Sequence, residues 1–202
     1  MSPKVSQEHK EKRRNEIIEA ARTIFIKKGF ELTTMHDVVE QSGMSRGGVY
    51  QYFSNTEDMM RAILDKGEAE FTGQKDRLYE KYTTSWAVLE AVADAHDHVT
   101  LDPIGLTIYE YFVAGLRGLN TGRVDYMKKR LETIKGFYID VIEKGIADGE
   151  FNPVQKPEAI ASYFIILADG IVLHRNLDRE MADVKGLVEG LKIYLRATLN
   201  VK

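Results

Sequence analysis

The chain has 202 residues, 44% hydrophobic and 29% charged, the balance of a soluble globular protein with room for one large domain or two that share an interface. It contains no cysteine, which excludes disulfides, thiolate zinc sites and cysteine nucleophiles. The formal net charge of −3 divides unevenly: residues 1–55 carry 9 Lys/Arg against 7 Asp/Glu and the rest 19 against 24, a basic segment joined to an acidic body.

Residues 1–14 are polar, with Lys4, Lys10, Lys12, Arg13 and Arg14 interspersed with Glu8 and Glu11. They read either as a solvated tail fraying into a helix or as a basic arm that touches phosphates or the minor groove. No apolar segment with a cleavage site opens the chain, and the longest apolar run, residues 163–173, is broken by Asp169 and short for a bilayer, so the expected location is cytoplasmic. Over 15–28, Ile17, Ala21, Ile24 and Phe25 trace the face of a first helix, which Gly29 ends.

Residues 32–53, LTTMHDVVEQSGMSRGGVYQYF, organise the rest. Thr33 or Thr34 can cap a short helix with Met35, Val38 and Val39 on one face. Gly43 suits a left-handed helix end, and Ser45 can cap a second helix with Val49, Tyr52 and Phe53 inward. This spacing describes a helix-turn-helix. Arg46, Gly47, Gly48, Tyr50 and Gln51 remain outward, a face suited to reading DNA.

This segment resembles the TetR family of transcriptional regulators in Thr34, Gly43, Met44, Ser45, Gly47, Val49, Tyr50 and Phe53, followed by Ser54-Asn55-Thr56-Glu57-Asp58-Met59. The resemblance implies that Thr34, Ser45 and Tyr50 hold phosphates, that Arg46, Gly48 and Gln51 face bases, and that Tyr52 does either. Where the family usually carries a phosphate-binding Lys, this chain has Thr56, which keeps a hydrogen-bond donor and lacks the charge. The resemblance further implies a homodimer on a palindromic operator, most often a repressor, released by a small-molecule effector.

A helix is expected over 56–82 as one rigid rod, then helices over about 86–99, 104–119, 124–147, 157–173 and 183–199, with Pro103 and Pro157 at helix starts. The expected architecture is all-α with about nine helices, a DNA-binding domain over 1–55 and a regulatory domain over 56–202. The last two helices are candidates for a bundle formed by two subunits, through Ile171, His174, Leu187, Leu191, Tyr194 and Leu195. Gly186 and Gly190 would permit close helix approach there.

Trp86, Tyr109, Phe112, Tyr126, Met127, Phe137, Tyr138 and Tyr163 either fill a core or line an effector pocket. Asp94 and His98 share a helix face, but His96 points elsewhere and no third ligand is identifiable, so no metal is expected. No cofactor is expected either. The chain shows no nucleophile-and-base signature and no phosphate-cradling loop, which argues against an enzyme.

Overall fold

The computed structural model describes residues 7–97, 103–117, 121–177 and 183–202. Among them the secondary structure is helical throughout, in ten helices: α1 (Gln7–Lys28), α2 (Met35–Ser42), α3 (Arg46–Tyr50), α4 (Thr56–Thr72), α5 (Gln74–Lys81), α6 (Ser85–Ala95), α7 (Pro103–Leu116), α8 (Thr121–Ala147), α9 (Pro157–Leu177) and α10 (Val184–Leu199). The all-α class is as expected. The rod expected over 56–82 is two helices, because Gly73 stands outside both α4 and α5 and makes no side-chain cap. Glycine weakens a helix by about 1 kcal/mol relative to alanine, and here the interruption falls on it.

The chain divides into two compact units, Met1–Ala69 with Asp102–Val124, and Glu70–Leu101 with Asp125–Lys202. The unit that holds the helix-turn-helix thus reaches beyond residue 55, through most of α4 and all of α7. In this first unit α1 packs against α2 and α7. Its buried residues are Ile17, Ile18, Ala20, Ala21, Ile24 and Phe25, the predicted stripe with Ile18 and Ala20 added. Phe30 folds back after Gly29, 5.4 Å from the Phe25 ring and edge-on to Tyr111 at 4.9 Å. The Thr107 hydroxyl of α7 donates to the Phe25 carbonyl at 3.2 Å.

A capping box opens α2. The Thr34 hydroxyl accepts from Asp37 N at 3.3 Å and donates to Asp37 Oδ2 at 2.8 Å, while Thr34 N donates to the same carboxylate at 2.9 Å. The Lys28 ammonium, with these Thr34 donors, holds the Asp37 carboxyl well below the usual carboxylate range. A depressed carboxylate contributes stability above its unfolded pKa of about 4 and loses it as pH falls. Thr34→Ala is therefore expected to cost about 1 kcal/mol at pH 7, with a smaller difference from the parent in thermal melts at pH 3.

The second unit builds its core from α6, α8, α9 and α10, around Val88, Leu89, Val141, Ile142, Ile160, Phe164, Leu191 and Leu195. Aromatic rings run through it from Phe71 to Phe137 (4.7 Å), Tyr138 (5.2 Å) and Phe164 (4.4 Å). Thr84 caps α6, and the Glu150 carboxylate accepts from the Ser85 and Trp86 backbone N–H at 2.9 and 3.1 Å, meeting the free donors and dipole of that helix end. After α8, Gly149 adopts φ 75°, a left-handed helix end that glycine takes at little cost. Phe151 then lies across Gly145 so closely that a Cβ there would fall 2.2 Å from the ring. Gly145→Ala must displace Phe151, a buried anchor, and is expected to cost about 1–3 kcal/mol, measurable as a lower urea midpoint.

Over Pro157–Arg175, α9 is long and apolar enough to cross a membrane by length and composition, a longer apolar stretch than residues 163–173. It has two apolar faces. Ile160, Ala161, Phe164, Ala168 and Ile171 are buried in the unit's core, while Tyr163, Ile166 and Leu173 are exposed.

Candidate nucleic-acid interface

The turn after α2 forms as its residues require. Gly43 takes φ 64°, and its N–H reaches the Glu40 carbonyl at 3.3 Å. Ser42 Oγ donates to the Val39 carbonyl at 3.0 Å and accepts from Met44 N at 3.3 Å. Ser45 then caps α3 by accepting from Gly48 N at 3.2 Å. A Cβ on Gly48 would lie only 3.2 Å from that cap oxygen, so the glycine leaves room for the cap. Val49 and Phe53 are buried and anchor the short helix.

Arg46, Gly47, Tyr50 and Gln51 are exposed, Gly48 and Tyr52 half-buried. The Arg46 guanidinium lies over the Tyr50 ring, 5.3 Å from its centroid, so the two side chains are presented together. Ser45 is exposed, and its oxygen serves the cap. Thr34 is exposed too, with its hydroxyl engaged in both directions by Asp37. Thr56, half-buried, is the first residue of α4, immediately before the acids Glu57 and Asp58 of that first turn.

Beside α3 lies a groove of about 450 Å³ lined by Gly43, Met44, Ser45, Gly48, Gln51 and Tyr52 and, from α1, by His9, Lys10 and Arg13. The helix therefore begins by Gln7, inside the stretch read as tail or arm. The expected cations separate: Lys10 and Arg13 line the groove, Lys12 lies among Glu8, Glu11, Glu16 and Glu19, and Arg14 covers the Phe53 ring at 5.1 Å. Lys4 lies outside the described residues. His9 was missed, although a helix over this stretch puts His9 and Arg13 four apart on one face.

An exposed short helix with a cation, an amide and a phenol, flanked by two cations and a histidine, has the shape and charge to enter a major groove. The description "Bacterial regulatory proteins, tetR family" matches residues 17–63, and "Tetracyclin repressor-like, C-terminal domain" matches 89–185. The HTH-type transcriptional regulator YfiR of Bacillus subtilis strain 168 is 45% identical over 208 residues, covering 98% of each chain. The chain belongs to the TetR family. It is a DNA-binding transcriptional regulator of that type. The HTH-type transcriptional repressor KstR2 of Mycolicibacterium smegmatis is 25% identical over 149 residues, 70% of this chain and 68% of that one. The solved SmeT–triclosan complex shares the fold at a TM-score of 0.78 and 19% identity, covering 94% and 92%.

The residues expected in an effector pocket fall in both units. Tyr109 and Phe112, half-buried with rings 6.5 Å apart, belong to the first, where Tyr109 lines an open cleft of about 800 Å³ with Ile26, Leu32, Leu106 and Val113. In the second, Phe137 and Tyr138 are core residues, and burial pushes the Tyr138 hydroxyl pKa up. Trp86 is half-buried under the Arg196 guanidinium at 4.8 Å, Tyr126 and Met127 are half-buried on α8, and Tyr163 is exposed and stacked on Tyr194 at 4.2 Å.

Of the residues expected between subunits, Ile171, Leu191 and Leu195 are 5%, 1% and 0% exposed and belong to the core of their own unit, which corrects that expectation. Leu187 and His174 are exposed, Tyr194 half-buried. A second apolar stripe was the one overlooked: Ile166 on α9 and Ile193 on α10, 65% and 63% exposed. Asp94 pairs with Lys192 at 2.9 Å and His96 Nδ1 lies 2.8 Å from the Val92 carbonyl, while His98 lies outside the described residues.

Proposed function

We propose that the protein is a cytoplasmic repressor that binds a palindromic operator as a homodimer and is released by a small-molecule effector held by residues 56–202. The observation that carries this reading is the groove in which Lys10 and Arg13 of α1 flank Ser45, Gly48, Gln51 and Tyr52. Cations on one wall supply sequence-independent phosphate affinity, and the α3 side chains beside them supply base contacts. In the proposed roles Tyr50, Ser45, Thr34 and Thr56 hold backbone phosphates, Arg46, Gly48 and Gln51 meet bases, Gly47 keeps the approach open, and Tyr52 adjoins both. The role of KstR2 as a repressor supports repression, and the triclosan of the SmeT complex supports an apolar effector.

The exposed apolar residues of α9 and α10, Tyr163, Ile166 and Leu173 with Leu187 and Ile193, support the dimer, because apolar surface exposed on adjacent helices favours cover by a partner. A variant with Ile166→Asp and Ile193→Asp is expected to sediment at the protomer mass of 23.0 kDa, with the parent at twice that. A monomeric parent would remove the dimer from this reading.

Selection from random duplex DNA with the purified protein tests the whole. The expected result is an enriched palindrome with half-sites about 34 Å apart on one face of the duplex. Enrichment of no sequence at low salt would make the helix-turn-helix a scaffold element. Small apolar compounds that abolish binding to the selected site then identify the effector class.

A further inference from the structure

Arg123 stands on the first turn of α8 with only 6% of its side chain exposed. Its Nη1 donates to Glu31 Oε1 and its Nη2 to Glu57 Oε2, both at 2.9 Å. The guanidinium is sandwiched near two rings, 4.3 Å from the Tyr111 centroid and 4.9 Å from that of Phe30. The Tyr111 hydroxyl donates to the other Glu57 oxygen, which Arg61 Nε also approaches at 3.4 Å. Burial, with that bond, pushes the Tyr111 pKa up to about 12. Gly115 opens the space: a Cβ there would sit 3.1 Å from Arg123 Cδ.

Stability is a poor reason for this arrangement. A buried ion cluster is often no more stabilising than apolar side chains of the same volume, and here Arg123 Nε is buried with no hydrogen-bond partner. What the rigid guanidinium fork supplies is position. Glu31 and Glu57 are the residues that bracket 32–56, the helix-turn-helix and its exit into α4, and one side chain holds both.

We propose that Arg123 is a positioning residue for DNA recognition, clasping both ends of the helix-turn-helix to the first turn of α8. The inference rests on the DNA-reading role proposed for α3.

Arg123→Met in the full-length protein removes both arms and keeps the apolar stem. Amide hydrogen exchange without DNA is expected to speed up about tenfold across 32–56 and to stay unchanged in 17–25 of α1. Affinity for the selected operator at fixed salt is expected to fall about tenfold. Arg123→Lys, a point charge able to reach one carboxylate at a time, should recover part of both. Unchanged exchange and affinity in Arg123→Met would overturn the proposal. Faster exchange in a protein whose parent binds no duplex would uphold the clasp and refute the DNA reading instead. Should Arg123→Met fail to fold, Glu31→Gln cuts one half-exposed arm, and exchange near the start of α2 must then accelerate or the clasp is overturned.

Discussion

Replacing Phe164 with alanine is expected to lower the free energy of unfolding by about 3–5 kcal/mol. Phe164 is 1% exposed, with its ring 4.4 Å from Tyr138 and 6.2 Å from His96. Its neighbours are themselves held by ring contacts, Tyr138 edge-to-face with Phe137 and Phe137 tilted against Phe71, so they have little freedom to close over the void. The cost is therefore the lost transfer free energy together with most of a cavity contribution. Urea unfolding with an unchanged slope would measure it. The adjacent Tyr163→Ala is the internal comparison. Tyr163 is 44% exposed and loses mainly its stacking on Tyr194, a cost of about 1 kcal/mol. A reversed order of the two losses would place the core on the other face of α9, and with it the surface offered to a second subunit.

That contrast marks how far the sequence could be read. Local chemistry was legible because it is encoded within a few residues: the Thr34 cap, the left-handed Gly43, the Ser45 cap and the inward Val49 and Phe53 each follow from neighbours no more than four positions away. The helix face of α1 was legible for the same reason. A two-faced helix was not. In α10 the buried Leu191 and Leu195 and the exposed Leu187 and Ile193 are all apolar, and periodicity does not say which of them meet the protein's own core. Glu150 at the start of α6 lies 65 residues from its partner, and Arg123 lies 92 and 66 residues from Glu31 and Glu57. Such pairings are set by tertiary packing, and no local pattern announces them. The break at Gly73 went unread because an isolated glycine inside a helical pattern is usually tolerated.

Two substitutions on α3 separate the parts of DNA recognition. Tyr50→Ala is expected to weaken binding to every duplex about tenfold or more, the value of one hydrogen bond to a charged phosphate. The loss is enlarged by the geometry at Arg46, whose guanidinium rests over the Tyr50 ring and loses that platform when the ring is removed. The lost phosphate contact weakens selected and unrelated sequences alike, and the disturbed Arg46 adds a penalty on the selected sequence. Gln51→Ala is expected to behave differently. Gln51 is exposed on the same groove as Ser45 and Gly48, and an amide there discriminates by pairing with a base edge, so its removal should relax preference at one position of each half-site by about 1–3 kcal/mol. Competition binding against single-base variants of the selected operator measures both. If Tyr50→Ala binds with parental affinity, the phosphate role belongs elsewhere, and the neighbouring cations Lys10 and Arg13 of the groove are the first to test by their effect on the salt slope. If Gln51→Ala weakens all sequences equally, the residue grips the backbone, and base discrimination passes to Arg46, the remaining side chain on α3 able to pair with a base in two places at once.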